Sequence, residues 1–329
     1  MSEIERVIKL ADPATAQAIF GPLHRHVAYI QETFRDPNAP RGAPSYRLTL
    51  DAQGDQLIVR ARAAADVERV ARIIDALTDL QKRKSRIREG DVLAAISFSE
   101  GGAESGAPLT LPQLGGLTLR TPRQVHYVEA LRDEGIDLIF GVGPAGTGKT
   151  FLAVAAAVEA MRQERVDRII VTRPAVEAGE RLGYLPGDLT EKVDPYLQPI
   201  WDAFRSQMSE NDLKARRERR QIEVAPLAFM RGRTLSNAFV IVDEAQNATI
   251  LQMKMVLTRL GEGSRMVVTG DPSQIDLPRL DQSGLAHAVS ILEDISGVEV
   301  IRFASQDVVR HRLVARIVDA YHRDEGGRG

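Results

Sequence analysis

Residues 143–150 read Gly143-Pro144-Ala145-Gly146-Thr147-Gly148-Lys149-Thr150, and their types and spacing suit one task, holding phosphate groups. The glycines let the backbone turn successive N–H groups toward an anion, and a helix starting at the end of the run adds positive potential there. Lys149 is long enough to reach the β and γ phosphates, and the Thr150 hydroxyl is a ligand for Mg²⁺. A second cluster is Asp243-Glu244. Asp243 suits the Mg²⁺ shell, and Glu244 suits removal of a proton from an attacking water. Read alone, the same pair equally suits the start of a helix, with Asn247 and Thr249 as caps. A third cluster, Thr269-Gly270-Asp271-Pro272-Ser273-Gln274, either forms a plain turn or places Gln274 to bond the γ-phosphate or the water and so report cleavage.

Such groups act together only if the chain brings them to one edge. The phosphate loop lies between the apolar run Ile136–Val142 and the helix-forming run Phe151–Met161. Ala238–Val242 is five apolar residues rich in β-branching, the pattern of a strand buried on both faces, and Asp243-Glu244 follows at its carboxyl end. Arg265–Val268 is a third such strand, and Val166–Val171 a fourth that ends in Thr172-Arg173-Pro174. Open parallel sheets bind ligands at the carboxyl ends of their strands, so an α/β fold with a parallel sheet is predicted. Arg173 then touches nucleotide or polynucleotide, or else forms a surface ion pair. Gln124, ahead of the helix Val125–Leu131, carries the amide donor and acceptor that an adenine edge needs. The turn-rich stretch Glu177–Asp188 reads as a loop at a strand tip, where partners are met.

The chain has 329 residues, 43% of them hydrophobic, enough for about two domains with real cores. It lacks cysteine, which excludes disulfides and thiolate metal sites, and its histidines, among them His24, His26 and His311, form no ligand cluster. No apolar run approaches the ~20 residues that span a bilayer, and Met1–Glu5 lacks the features of an export signal, so a cytoplasmic protein without membrane contact is expected. A net charge of −2 gives no global pull on nucleic acid, which leaves two local basic runs, Gln81–Arg88 and Lys214–Arg220, as solvated faces or binding patches. Residues 1–96 read β-α-α-β-β-α: a strand Glu5–Leu10, a helix Pro13–Phe20, a second helix to Thr33, strands Tyr46–Leu50 and Gln56–Ala61, and a helix Ala64–Lys82. With the turn Gly21-Pro22-Leu23-His24, this α+β unit resembles a KH-type RNA-binding module. His24 stands where the second glycine of the backbone-clamping loop would be, and Pro22 removes a donor, so RNA binding and plain packing are both open. The Gly-, Ser- and Pro-rich stretch 97–117 is expected to be a linker, 118–323 the nucleotide domain and 324–329 a disordered tail.

The motifs together resemble PhoH-like ATPases of the bacterial YbeZ type. The resemblance rests on Gly143–Thr150, Val171–Glu180, Leu185–Leu189, Glu191–Leu197, Glu223–Leu227, Phe229–Leu235, Val242–Asn247, Thr269–Asp271 and Asp307–His311, and covers most of residues 118–322. It implies a RecA-like P-loop core related to superfamily one helicases, with ATP and Mg²⁺ as cofactors and ATP hydrolysis linked to RNA metabolism. It also implies a γ-phosphate-sensing role for Gln274, a finger role for Arg310, and a YbeY-type endoribonuclease of rRNA maturation as a partner. About fifty residues follow Leu277, fewer than a second RecA domain needs, so a homo-oligomer, a hexameric ring, is expected, with Arg310 or Arg173 completing a neighbour's site.

Overall fold

A computed structural model describes residues 3–36, 45–84, 86–100, 109–174, 189–277, 283–309 and 317, with side chains from 197 onward in the stretch that begins at 189. Arg310, His311, the stretch 175–188 and the tail 324–329 lie outside the described residues. The chain divides into two compact units, Met1–Pro122 and Arg123–Gly329.

In the first unit, β1 (Ile4–Lys9), α1 (Pro13–Phe20), α2 (Arg25–Glu32), β2 (Leu48–Gln53), β3 (Gln56–Ala61) and α3 (Ala64–Arg83) follow in the expected order. The strands form an antiparallel sheet ordered β1-β3-β2, with Ile4 and Leu48 both opposite Ala61. Asp12 starts α1 by accepting the Thr15 N–H at 2.8 Å, with Pro13 in the first turn. On α3, Val67, Val70, Ile73, Ile74, Leu77 and Leu80 recur at helical spacing and are buried against the sheet and α1.

The linker expected over 97–117 is corrected at both ends. Helix α4 (Glu89–Glu100) runs through Ser99, which is buried, and β4 (Gln113–Leu114) pairs with β5 (Leu117–Thr118). Residues 101–108 lie outside the described residues. What holds these flanks is an apolar anchor and a buried charge. Leu111 and Leu114 are buried, and Asp91, 5% exposed, accepts from the Thr118 hydroxyl at 2.6 Å and the Lys84 ammonium at 3.0 Å. The Asp91 carboxyl is held below its usual range: burial opposes this, but Thr118, the Arg88 amide and Lys84 outweigh it.

The second unit begins with α5 (Pro122–Arg132) and is built on a six-stranded parallel sheet ordered β11-β6-β10-β9-β7-β8. The strands are β6 (Leu138–Val142), β7 (Arg168–Arg173), β8 (Ile222–Pro226), β9 (Ala238–Val242), β10 (Arg265–Gly270) and β11 (Val298–Arg302). Crossover helix α6 (Lys149–Arg162) buries Leu152, Val154 and Val158. Further helices are α7 (Leu189–Arg205), α8 (Glu210–Glu218), α9 (Ile250–Leu257) and α10 (Gly284–Leu292). All five residues of β9 are buried, as a strand covered on both faces requires. Register sets the rest: Val142 lies opposite Gly270, and Val242 opposite both Val268 and Thr172, so the tips of β6, β7, β9 and β10 share one edge. The basic run Lys214–Arg220 largely finishes α8. Arg217 stacks over Trp201 at 4.2 Å, which gives that cation a structural partner.

Candidate active site

The loop 143–148 leaves β6 and enters α6, and its conformation follows from its glycines: Gly143, Gly146 and Gly148 all have positive φ. The loop is braced from several directions. Gly143 N–H donates to Gly270 O at 3.1 Å, Ala145 N–H to Asp271 Oδ2 at 3.1 Å, and Val309 N–H to Gly146 O at 3.0 Å. Within it the Thr147 hydroxyl donates to Pro144 O at 3.0 Å. Gln124, 5% exposed, donates its amide to Thr147 O at 2.9 Å. The donor expected to read an adenine edge therefore supports the loop from beneath.

Lys149 is nearly buried, and its ammonium donates to Gly143 O at 2.6 Å and Pro144 O at 2.8 Å. Burial lowers its pKa, while the negative charges of Asp271, Glu244 and Asp243 work against that fall. The Thr150 hydroxyl donates to Asp243 Oδ1 at 2.6 Å, and the Thr269 hydroxyl donates to the same oxygen at 2.8 Å. A hydroxyl and a carboxylate in contact are the hard oxygen donors that Mg²⁺ takes beside phosphate, so Thr150 and Asp243 fit that ion. Tyr127, beneath the site, is fully buried; burial and the Asp243 charge push its phenol up.

Glu244 sits in the left-handed region, at φ 51 and ψ 40. A non-glycine residue held there stores about 1 kcal/mol or more, and neighbouring bonds maintain it. Asp243 N–H donates to Thr172 O at 2.8 Å on one side, and Asn247 N–H to Glu244 O at 3.0 Å on the other. The Glu244 carboxylate lies 3.5 Å from the Arg173 guanidinium and accepts from the Gln246 amide at 2.6 Å. The ion-pair alternative for Arg173 is thus realised on the candidate base itself. The helix-cap alternative falls to Thr249, which forms a capping box with Gln252, whereas Asn247 bonds Asp276.

Sequence reasoning passed over Gln246. It is 1% exposed and bridges two motifs: Nε2 donates to Glu244, and Oε1 accepts the Asp271 N–H at 3.0 Å. Asp271 in turn accepts from the Gln274 amide at 2.9 Å and from the Ser273 hydroxyl at 2.6 Å. Burial opposes ionisation of Asp271, yet the Ser273 hydroxyl and amide, the Ala145 amide and the Lys149 charge together hold its carboxyl below the usual range. One chain of bonds therefore runs from Glu244 through Gln246 to Asp271 and Gln274. The available signal was its place between two acidic motifs, but a lone glutamine at a strand tip has no distinctive spacing. Gln246→Ala should lower kcat roughly 10- to 100-fold with little change in KM, because misplacing a base by about 1 Å costs of that order. A kcat within twofold of wild type in a steady-state assay would remove the bridge from the mechanism.

Ala145, Gly148, Lys149, Glu244, Asp271 and Gln274 line one cleft of about 370 Å³. A larger cavity of about 580 Å³ lies at the opposite end of the strands, around Arg165 and Arg265, but it gathers none of these motifs. Chemistry, and not size, selects the smaller one: five sequence-predicted groups, Lys149, Thr150, Asp243, Glu244 and Gln274, line it together.

The model of the family described as PhoH-like protein matches residues 116–322. The chain belongs to the PhoH-like family. A PhoH-like protein of Synechocystis is 43% identical over 99% of this chain and 97% of its own length. Protein PhoH of Escherichia coli is 42% identical over 72% of each chain. Among solved structures, the Pif1 helicase of Candida albicans covers 60% of this chain and 42% of its own, with 14% identity and a TM-score of 0.32. At that level the overlay carries no weight. The strand order and the loop geometry define the PhoH-like core here as an α/β P-loop NTPase.

Proposed function

We propose that this PhoH-like protein binds ATP with Mg²⁺, hydrolyses it, and uses the turnover to remodel RNA during rRNA maturation. One observation supports the reading above the others: a phosphate loop, a hydroxyl–carboxylate pair, a strained glutamate and a glutamine converge on one cleft. Bound Mg²⁺ would supply charge neutralisation on the phosphates from Thr150 and Asp243. The chain's own groups do the remainder. Loop amides and Lys149 orient the phosphates, Glu244 takes the proton of the attacking water, and Gln274 bonds the γ-phosphate and relays its presence to Asp271.

Because Arg173 already faces Glu244 of its own chain, Arg310 is the better finger for a neighbour's site, which fits a homo-oligomeric ring. The cytoplasm and a YbeY-type endoribonuclease as partner complete the proposal. It is tested by steady-state ATP hydrolysis with and without single-stranded RNA at fixed salt, with Glu244→Gln as the blank. RNA stimulation that the blank abolishes is expected. Turnover indifferent to RNA but raised by the endoribonuclease would replace the remodeller with a switch that positions a nuclease.

A further inference from the structure

Tyr127 of α5 carries a hydroxyl that the protein around it does not bond. The residue is 0% exposed, and its phenol oxygen has no hydrogen-bond partner among the described residues. A buried donor left unpaired costs stability, and phenylalanine would fill the same space without that cost. The ring is closely placed. One turn earlier on α5, Gln124 donates to Thr147 O at 2.9 Å and ties the helix to the phosphate loop. The Phe303 ring meets the phenol edge-on at 5.4 Å. A Cβ at Gly141 would lie 3.0 Å from the phenol oxygen and 3.1 Å from Cε2 and Cζ. The phenol therefore takes the place that a side chain at residue 141 would occupy over β6.

That position sets the hydroxyl beside a second unmet group. Gly141 lies opposite Thr269 in the parallel register of β6 and β10, and residues opposite each other point to the same face. Thr269 is buried, and its hydroxyl gives its hydrogen to Asp243 Oδ1 at 2.8 Å. Among the described residues, the one donor that reaches the Thr269 lone pairs is the Thr150 hydroxyl at 3.4 Å, and its hydrogen is already on Asp243 Oδ1 at 2.6 Å. An unmet donor and an unmet acceptor thus share one face of neighbouring strands. Such strands lie about 4.8 Å apart, a span that one water bridges with a hydrogen bond at each end. Burial and the Asp243 charge both raise the phenol's pKa, so it keeps its proton and serves as the donor. A purely structural hydroxyl would instead bond a protein atom directly, which this one does not.

We infer that Tyr127 is a positioning residue for the Mg²⁺ site: its hydroxyl donates through one water to Thr269, which fixes the Thr269 hydrogen on Asp243 and holds that carboxylate in the orientation that meets the ion. The inference rests on the Mg²⁺ reading above and adds to it a residue beneath the cleft. The full chain is titrated with MgCl₂ in the presence of a fluorescent, non-hydrolysable ATP analogue, and its unfolding by urea is followed separately. Tyr127→Phe keeps the ring against Gly141 and Phe303 and removes the hydroxyl alone. It should raise the Mg²⁺ concentration for half-maximal nucleotide binding roughly tenfold, the lower end of what losing a partner of a metal ligand costs. The urea midpoint should stay unchanged or rise. Thr269→Ser, which retains the hydroxyl, should stay near wild type, and in a Thr269→Val background Tyr127→Phe should add less than about twofold. A lower urea midpoint with an unchanged Mg²⁺ requirement would make the hydroxyl a structural group, and a full effect in the Thr269→Val background would rule out the route through Thr269; either overturns the inference. If Tyr127→Phe needs no more Mg²⁺ than wild type, the hydroxyl is wrong while the Mg²⁺ reading stands. If nucleotide binding by the wild-type chain is indifferent to Mg²⁺, both fail.

Discussion

Glu244→Gln should leave nucleotide binding close to wild type and lower kcat by about 10²–10⁴-fold, the usual contribution of a positioned general base. The substitution changes little in shape. The amide oxygen of the new side chain still accepts from Gln246, and the loop, Lys149, Thr150 and Asp243 are untouched. What is lost is the proton acceptor, together with the negative charge facing Arg173 at 3.5 Å. The expected signature is therefore a fall in kcat with KM nearly constant, as for a group that acts in the transition state alone. Phosphate release and binding of a fluorescent ATP analogue, measured on the same preparation, check it. Turnover within tenfold of wild type would pass the base role to another group and leave Glu244 as a partner of Arg173.

The site was legible in the sequence wherever chemistry and element type reinforced each other. A glycine run before Lys149 and a five-residue apolar strand before Asp243 each announce a strand tip, and the sheet places both on one edge. Gln124 was legible as polar and near the loop, but its partner was not, because the direction of a side chain depends on packing that no local pattern records. Gln246 escaped for the same reason: its two contacts come from segments 25 residues apart in one case and two in the other. In the first unit, the alternating and helical patterns gave β1, α1, β3 and α3 to within one residue, while β2 ends three residues beyond the expected strand. The linker expectation erred because composition weighs Gly and Ser without regard to anchors, and Leu111, Leu114 and Asp91 fasten the flanks of that stretch. The strands β8 and β11 at the two edges of the large sheet were missed as strands; neither ends in side chains suited to phosphate chemistry, and β11 is only partly buried.

The second large effect concerns the first residue of the loop. Gly143 has φ +141, a region that L side chains rarely adopt, and a Cβ placed on it would lie 2.3 Å from the carbonyl oxygen of Phe303. That oxygen has little room to retreat. Phe303 N–H is bonded to Val142 O at 2.7 Å, and the Phe303 ring is buried edge-on against Tyr127 at 5.4 Å. The loop cannot retreat in the other direction either, because Gly143 N–H is bonded to Gly270 O at 3.1 Å. Gly143→Ala therefore combines a strained backbone with a clash against fixed backbone, about 1–3 kcal/mol from each source. Relief requires moving the carbonyl of Gly143, which is one of the two main acceptors of the Lys149 ammonium. The expected result is a destabilisation of about 3 kcal/mol or more in chemical unfolding, with nucleotide affinity lost in the molecules that remain folded. Gly232→Ala is the control. That glycine also has positive φ, at +75, but a Cβ there meets nothing within 4 Å, so its cost is limited to backbone strain. If the two variants lose equal stability and both bind nucleotide normally, the contact with Phe303 does not hold the loop in place.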